Sequence, residues 1–225
     1  MNAERYFNFP VTLLKDFLIR SERVLIDISH YAVYSHSREF EYGTEVQKIK
    51  ASSSYFNIVF SNNQQVFDNG KILFDGTRMK TPKVGINLSI FWDFNNNNKS
   101  DFEKVCLLGF LALKSILQQK AYCKITNAFW LARMDGKAKS CPFNELSEPM
   151  RKYANEYQTK KIKTELRLNW NLITYSRYTR GFYVSFKLDV DQLVYEAEKR
   201  RKSNKEKQLK ALESEALEKA LKRVK

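Results

Sequence analysis

Little in this sequence bends or staples a chain: 225 residues hold only 7 Gly, 4 Pro and 3 Cys. So few glycines and prolines argue against collagen-like, Gly-rich or loop-dominated architectures. Cys106, Cys123 and Cys141 are odd in number, 17 and 18 residues apart, with no C-x-x-C pair. They spell neither a zinc ribbon nor a redox pair and read as buried thiols in a reducing compartment. Long apolar runs are missing too. The longest, residues 105–113, stops at Lys114, well short of the roughly 20 residues that cross a bilayer. The N-terminus (Met1-Asn2-Ala3-Glu4-Arg5) lacks the basic-then-apolar pattern of a signal peptide. A soluble cytoplasmic protein is expected, associated with the nucleoid if it binds DNA.

Histidine is scarcer still, and its scarcity bears on catalysis. His30 and His36 are six residues apart, about 240° round a helix, so one straight helix cannot aim both at a metal. No His-hydrophobe-His pattern, G-x-x-x-x-G-K-[ST] loop or G-x-S-x-G elbow occurs. Asp27, Asp68, Asp75 and Asp93 are scattered. Tyr183 near Arg177 and Arg180 would suit a recombinase or topoisomerase, but those chemistries usually want a His or Lys acid near the Arg pair, and no His follows residue 36. The expectation is a non-enzymatic protein without metal or cofactor.

What the chain does have is aromatic bulk and positive charge. Its 43% hydrophobic content, with 16 Phe, 12 Tyr and 3 Trp, excludes disorder for most of its length. Lys and Arg outnumber Asp and Glu by 39 to 25, a net +14, which points toward a polyanionic partner. The excess is localised. Residues 149–188 carry nine basic and two acidic groups, half of the imbalance in forty residues.

Four stretches follow from composition. Residues 1–94 read as a helical module, with apolar positions at helical spacing over 13–19 and 21–35. Thr44-Glu45-Val46-Gln47 is a capping box opening another helix, and 64–74 a further candidate. Residues 83–94 fit helix or strand equally. Residues 95–99 are an Asn-rich linker, since Asn favours turns. A second capping box, Ser100 to Glu103, opens a helix expected to reach about Gln119. Residues 100–188 form the second module and 189–225 a charged C-terminal helix.

The basic region reads most specifically. Residues 122–125 are a short strand candidate, and Thr126 is an N-cap for a helix stopped at Gly136. Taking Lys160 as zero, Met150, Tyr153, Ala154 and Tyr157 point between about 20° and 120°. Ile162, Leu166 and Asn169 point between about 180° and 240°. One straight helix cannot bury both faces, so a break is expected around 155–159, the mark of a helix-turn-helix. On the second helix, 160–170, Lys160, Lys163, Thr164 and Arg167 form one polar stripe. Such a stripe suits the major groove, where Arg and Lys donate to guanine or phosphate and Thr meets a thymine methyl. A β-hairpin follows over 172–188, turning at Tyr178-Thr179-Arg180-Gly181, with Arg177 and Arg180 at its tip.

On the 160–170 helix and the Arg177–Arg180 tip, residues 101–188 resemble a winged helix-turn-helix DNA-binding domain. The resemblance implies a mainly α fold with a small β-hairpin (α+β), with the hairpin as a wing against the DNA backbone or minor groove. Two winged helices in about 230 residues would resemble plasmid replication initiators, although 1–98 offers no second basic recognition helix. Double-stranded DNA is the expected partner, met by Lys160, Lys163, Thr164, Arg167, Arg177, Tyr178 and Arg180, with Arg151 and Lys152 on phosphate. Transcription control, or replication and maintenance of a mobile element, are the matching roles. The alternative is an RNA-binding or protein-interaction module, with Tyr175, Tyr178 and Tyr183 stacking on unpaired bases. No membrane partner is expected, because no large apolar face backs the basic stripe. The C-terminal helix pairs Glu196 with Arg200 and Glu215 with Lys219. A homodimer could form through it or through the N-terminal module.

Overall fold

A computed structural model describes residues 5–77, 80–177 and 181–224, the stretch 216–224 by its backbone alone. The fold is mostly helical with two small antiparallel sheets, an α+β arrangement. It begins with β1 (Tyr6–Pro10), whose Phe7 and Phe9 sit opposite Ile86 and Val84 of β2 (Lys83–Asn87). All four are buried. Between these strands lie α1 (Ser21–Ser37), α2 (Glu45–Tyr55) and α3 (Asn63–Asp75). The Thr44 capping box is present, its hydroxyl accepting from Gln47 N–H while the Gln47 side chain accepts from Thr44 N–H.

Helices α1 and α3 press together at Gly70. A Cβ there would lie 2.4 Å from the Tyr34 Cβ and 2.7 Å from the His30 carbonyl oxygen. No larger residue allows that approach without moving backbone. Two expectations change in this half. Residues 13–19 form no helix; a 3-10 turn over Val11–Leu14 ends where Asp16 takes φ 64°. The ambiguous 83–94 segment divides, β2 giving way at Asn87 to α4 (Leu88–Asn96). Asn87 drives the switch, its side chain accepting from Ser89 N–H at 2.8 Å as an N-cap.

The second half starts at α5 (Asp101–Leu117), opened by the Ser100–Glu103 capping box. It ends two residues short of Gln119, where Gln118 turns to φ 49°. Then come β3 (Tyr122–Ile125), α6 (Asn127–Met134), the single-turn α7 (Glu148–Arg151) and α8 (Glu156–Asn169). Strands β4 (Ile173–Tyr175) and β5 (Phe182–Ser185) and the long α9 (Val190–Val224) complete the chain. β5 lies between β3 and β4, antiparallel to both.

The break before α8 falls earlier than the phase argument places it. α7 ends at Arg151, and Asn155 caps α8 by accepting from Gln158 N–H at 2.9 Å. Tyr157 therefore belongs to α8 and is 72% exposed. An Asn at an N-cap satisfies an orphan donor, which outweighs the modest gain of burying one Tyr.

Helices α5, α6 and α8 converge on Gly109. A Cβ there would lie only 3.1 Å from Trp130 and 3.3 Å from both Ile162 and Leu166. Trp130 is fully buried and its indole N–H donates to the Gly109 carbonyl at 3.1 Å. The long 136–146 loop is pinned at its ends. Buried Asp135 accepts from Ser147 N–H and hydroxyl, and buried Arg133 donates to Ser115 Oγ and the Ala138 carbonyl. Across 95–99 the interior is continuous: β2 packs on α5, and one buried apolar cluster runs from Phe7 to Val184.

Candidate nucleic-acid interface

Amphipathicity orients α8. Ile162 and Leu166 are fully buried against α5, so the opposite side is solvent-facing. Lys160, Thr164 and Arg167 lie exposed along it. Tyr157 and Leu168, 72% and 73% exposed, border them. Arg151 and Lys152 are exposed where α7 ends.

Lys163 departs from the expected stripe. Its ammonium turns inward, donates to Asn127 Oδ1 at 2.8 Å and sits 3.7 Å from the Phe182 ring centroid. Trp130 lies 5.6 Å away on the same side. A lysine at the edge of an apolar face gains from laying its stem across aromatic rings. Burial pushes its pKa down to about 8. The ammonium of its exposed neighbour Lys161 lies 4.4 Å over the Phe102 ring.

The β4–β5 hairpin stands beside α8. Gly181 takes φ +96°, the positive value expected of the turn. Tyr178 and Arg180 lie outside the described residues. Arg177 is exposed and engaged, its guanidinium 3.6 Å from Glu198 of α9. Glu198 also accepts from the Tyr175 hydroxyl at 3.0 Å and from Arg201 at 2.8 Å. The Tyr175 hydrogen bond first, then Arg201, holds the carboxyl below its ordinary pKa. A parallel bond joins the Tyr122 hydroxyl to Glu196 at 3.2 Å. With Leu193 and Ala197 buried, these bonds fasten the start of α9 over the sheet.

Three clefts accompany these groups. One of about 290 Å³ is lined by Asn127, Lys163, Thr174, Ser176, Gly181 and Phe182. A second, about 430 Å³, lies between the sheet and α9 and includes Lys124, Arg177, Arg201 and Lys205. The third, about 440 Å³, gathers Arg38, Lys48 and Lys71 with Glu45 among α1, α2 and α3. Sequence reasoning missed all three, because their members come from separate elements. One catalytic-looking trio also forms: His36 Nδ1 is 2.9 Å from Ser52 Oγ, and its Nε2 is 3.9 Å from Glu39. Ser52 is wholly buried, so its hydroxyl meets packed side chains instead of substrate.

Burial pushes the Cys106 thiol up to about 12 and Cys123 up to about 11. Both are poor nucleophiles at neutral pH. Among the described residues, no helix is long and apolar enough to cross a membrane. Compared with known proteins, the chain matches no protein family, no curated sequence and no solved structure.

Proposed function

We propose that residues 101–188 are a winged helix-turn-helix that binds duplex DNA, with α8 in the major groove and the β4–β5 hairpin as the wing. The element order supports this: helix, strand, three helices (the middle one, α7, a single turn) and a hairpin, with the return strand paired centrally between β3 and β4. The observation that carries it is the outer side of α8, where Lys160, Thr164 and Arg167 are exposed opposite buried Ile162 and Leu166. Donors on a projecting helix can read base edges and phosphates. RNA is less well served. Tyr175 and Tyr183 are half-buried between sheet and α9, and the Tyr175 hydroxyl is committed to Glu198. Transcription control and replication of a mobile element both fit a duplex-binding protein.

Competition among a labelled duplex, single-stranded DNA and RNA tests the assignment. Duplex should win, and Arg167→Ala should weaken duplex binding by about 1–3 kcal/mol if it makes a bidentate base contact. Equal affinity for all three, or an unchanged Arg167→Ala, contradicts it.

A further inference from the structure

Among the described residues, the 290 Å³ cleft beside the hairpin holds a cation with no anion. Lys163 is partly buried and its hydrogen-bond partner is the neutral Asn127 side chain. An ammonium has three donors, so that one bond leaves two. The groups facing it are Asn127 and Trp130 from α6, Thr174 and Ser176 from β4 and its end, and Phe182 from β5. None of these titrates. Lys99, another half-hidden lysine with 15% of its side chain exposed, pairs instead with Asp93 at 2.7 Å. Burying a charge without a counterion is costly.

The rest of the lining adds donors. With Oδ1 turned to Lys163, Asn127 keeps its amide N–H groups free for an acceptor. Among the described residues the Thr174 hydroxyl makes no hydrogen bond, and Ser176 makes only a long one, 3.4 Å to the Gly181 carbonyl. Among the described residues the cleft thus presents one cation, one amide and two hydroxyls, with no carboxylate to repel an anion. It also adjoins the surface proposed above for a duplex. Lys163 falls one helical turn from both Lys160 and Arg167, and Arg177 follows Ser176 directly.

We propose that this cleft is a phosphate pocket, which clamps one phosphodiester of the bound duplex on Lys163, Asn127, Thr174 and Ser176. It rests on the winged-helix reading and deepens it, assigning Lys163 to the backbone and leaving Lys160 and Arg167 to the groove.

The test follows the Lys163 ammonium by NMR on lysine-labelled protein, its resonance assigned with Lys163→Arg. Free protein should titrate near pH 8. Adding a short duplex should raise that midpoint by about a unit, since an anion favours the charged amine. In parallel, Lys163→Gln should reduce the log–log salt slope of duplex binding by about 0.9, one phosphate's worth, and Lys163→Arg should restore it. If Lys163→Gln does not fold, the double variant Thr174→Val/Ser176→Ala takes its place, with a several-fold loss of affinity expected. Firm duplex binding with an unmoved Lys163 midpoint overturns the clamp and leaves the winged helix standing. Absence of duplex binding overturns the winged-helix reading itself. A shift with inorganic phosphate but none with duplex assigns the pocket to a small phosphate ligand and overturns the backbone assignment.

Discussion

Lys163 keeps its ammonium where burial makes the charge costly. Its folded pKa is depressed, so the penalty for keeping it charged is fully present below about pH 8 and fades as pH rises toward its unfolded value near 10.5. Lys163→Met should therefore stabilise the protein at pH 7, by about 1–3 kcal/mol. The advantage should shrink toward pH 10, and denaturant midpoints across that range check both sign and window. An equal gain at every pH would mean that packing, not desolvation, governs the site. The inward turn was not legible in the sequence. Helical phase places Lys163 at the edge of the polar stripe, and Phe182, nineteen residues away, draws it off. Lys160, Thr164 and Arg167 have no such distant partner, so their exposure agrees with phase alone.

Elements were legible wherever a local signal is strong. Both capping boxes, at Thr44 and Ser100, form as the residue types require. The α7–α8 break was legible in kind but misplaced, because phase marks a change of face and only the cap marks the turn. Asn155→Ala removes that cap and should cost about 1 kcal/mol, read as a lower thermal midpoint with little change in α8 side-chain exposure. The 13–19 segment misled for the opposite reason. Leu14 and Phe17 are buried by tertiary contacts while the backbone turns at Asp16. The polar latch of α9 has no sequence signature, its Tyr175–Glu198 and Tyr122–Glu196 partners standing 23 and 74 residues apart. Glu198→Ala should loosen that latch, speeding amide exchange at the start of α9. It should also free Arg177, so duplex affinity at low salt should rise. Unchanged exchange would show that Leu193 and Ala197 hold the helix unaided.

At the scale of the molecule, the +14 imbalance acquires a geometry. A single apolar interior joins the two halves through β2 and α5, so the N-terminal helices buttress the surface that carries α8. Composition locates the excess charge in residues 149–188, and the structure sorts it further. Lys160 and Arg167 face solvent, Lys161 and Lys163 lie over aromatic rings, and Arg177 is paired with Glu198. That sorting depends on long-range packing and could not be read from charge counts. The most direct test of the central claim, that the outer side of α8 meets duplex DNA, is the salt dependence of binding in wild type and in Lys160→Ala/Arg167→Ala. If both groups contact phosphate, the slope of log affinity against log salt should shrink by about 1.8. If they contact bases, affinity should fall with the slope preserved. Identical affinity and slope in the two proteins would contradict the account.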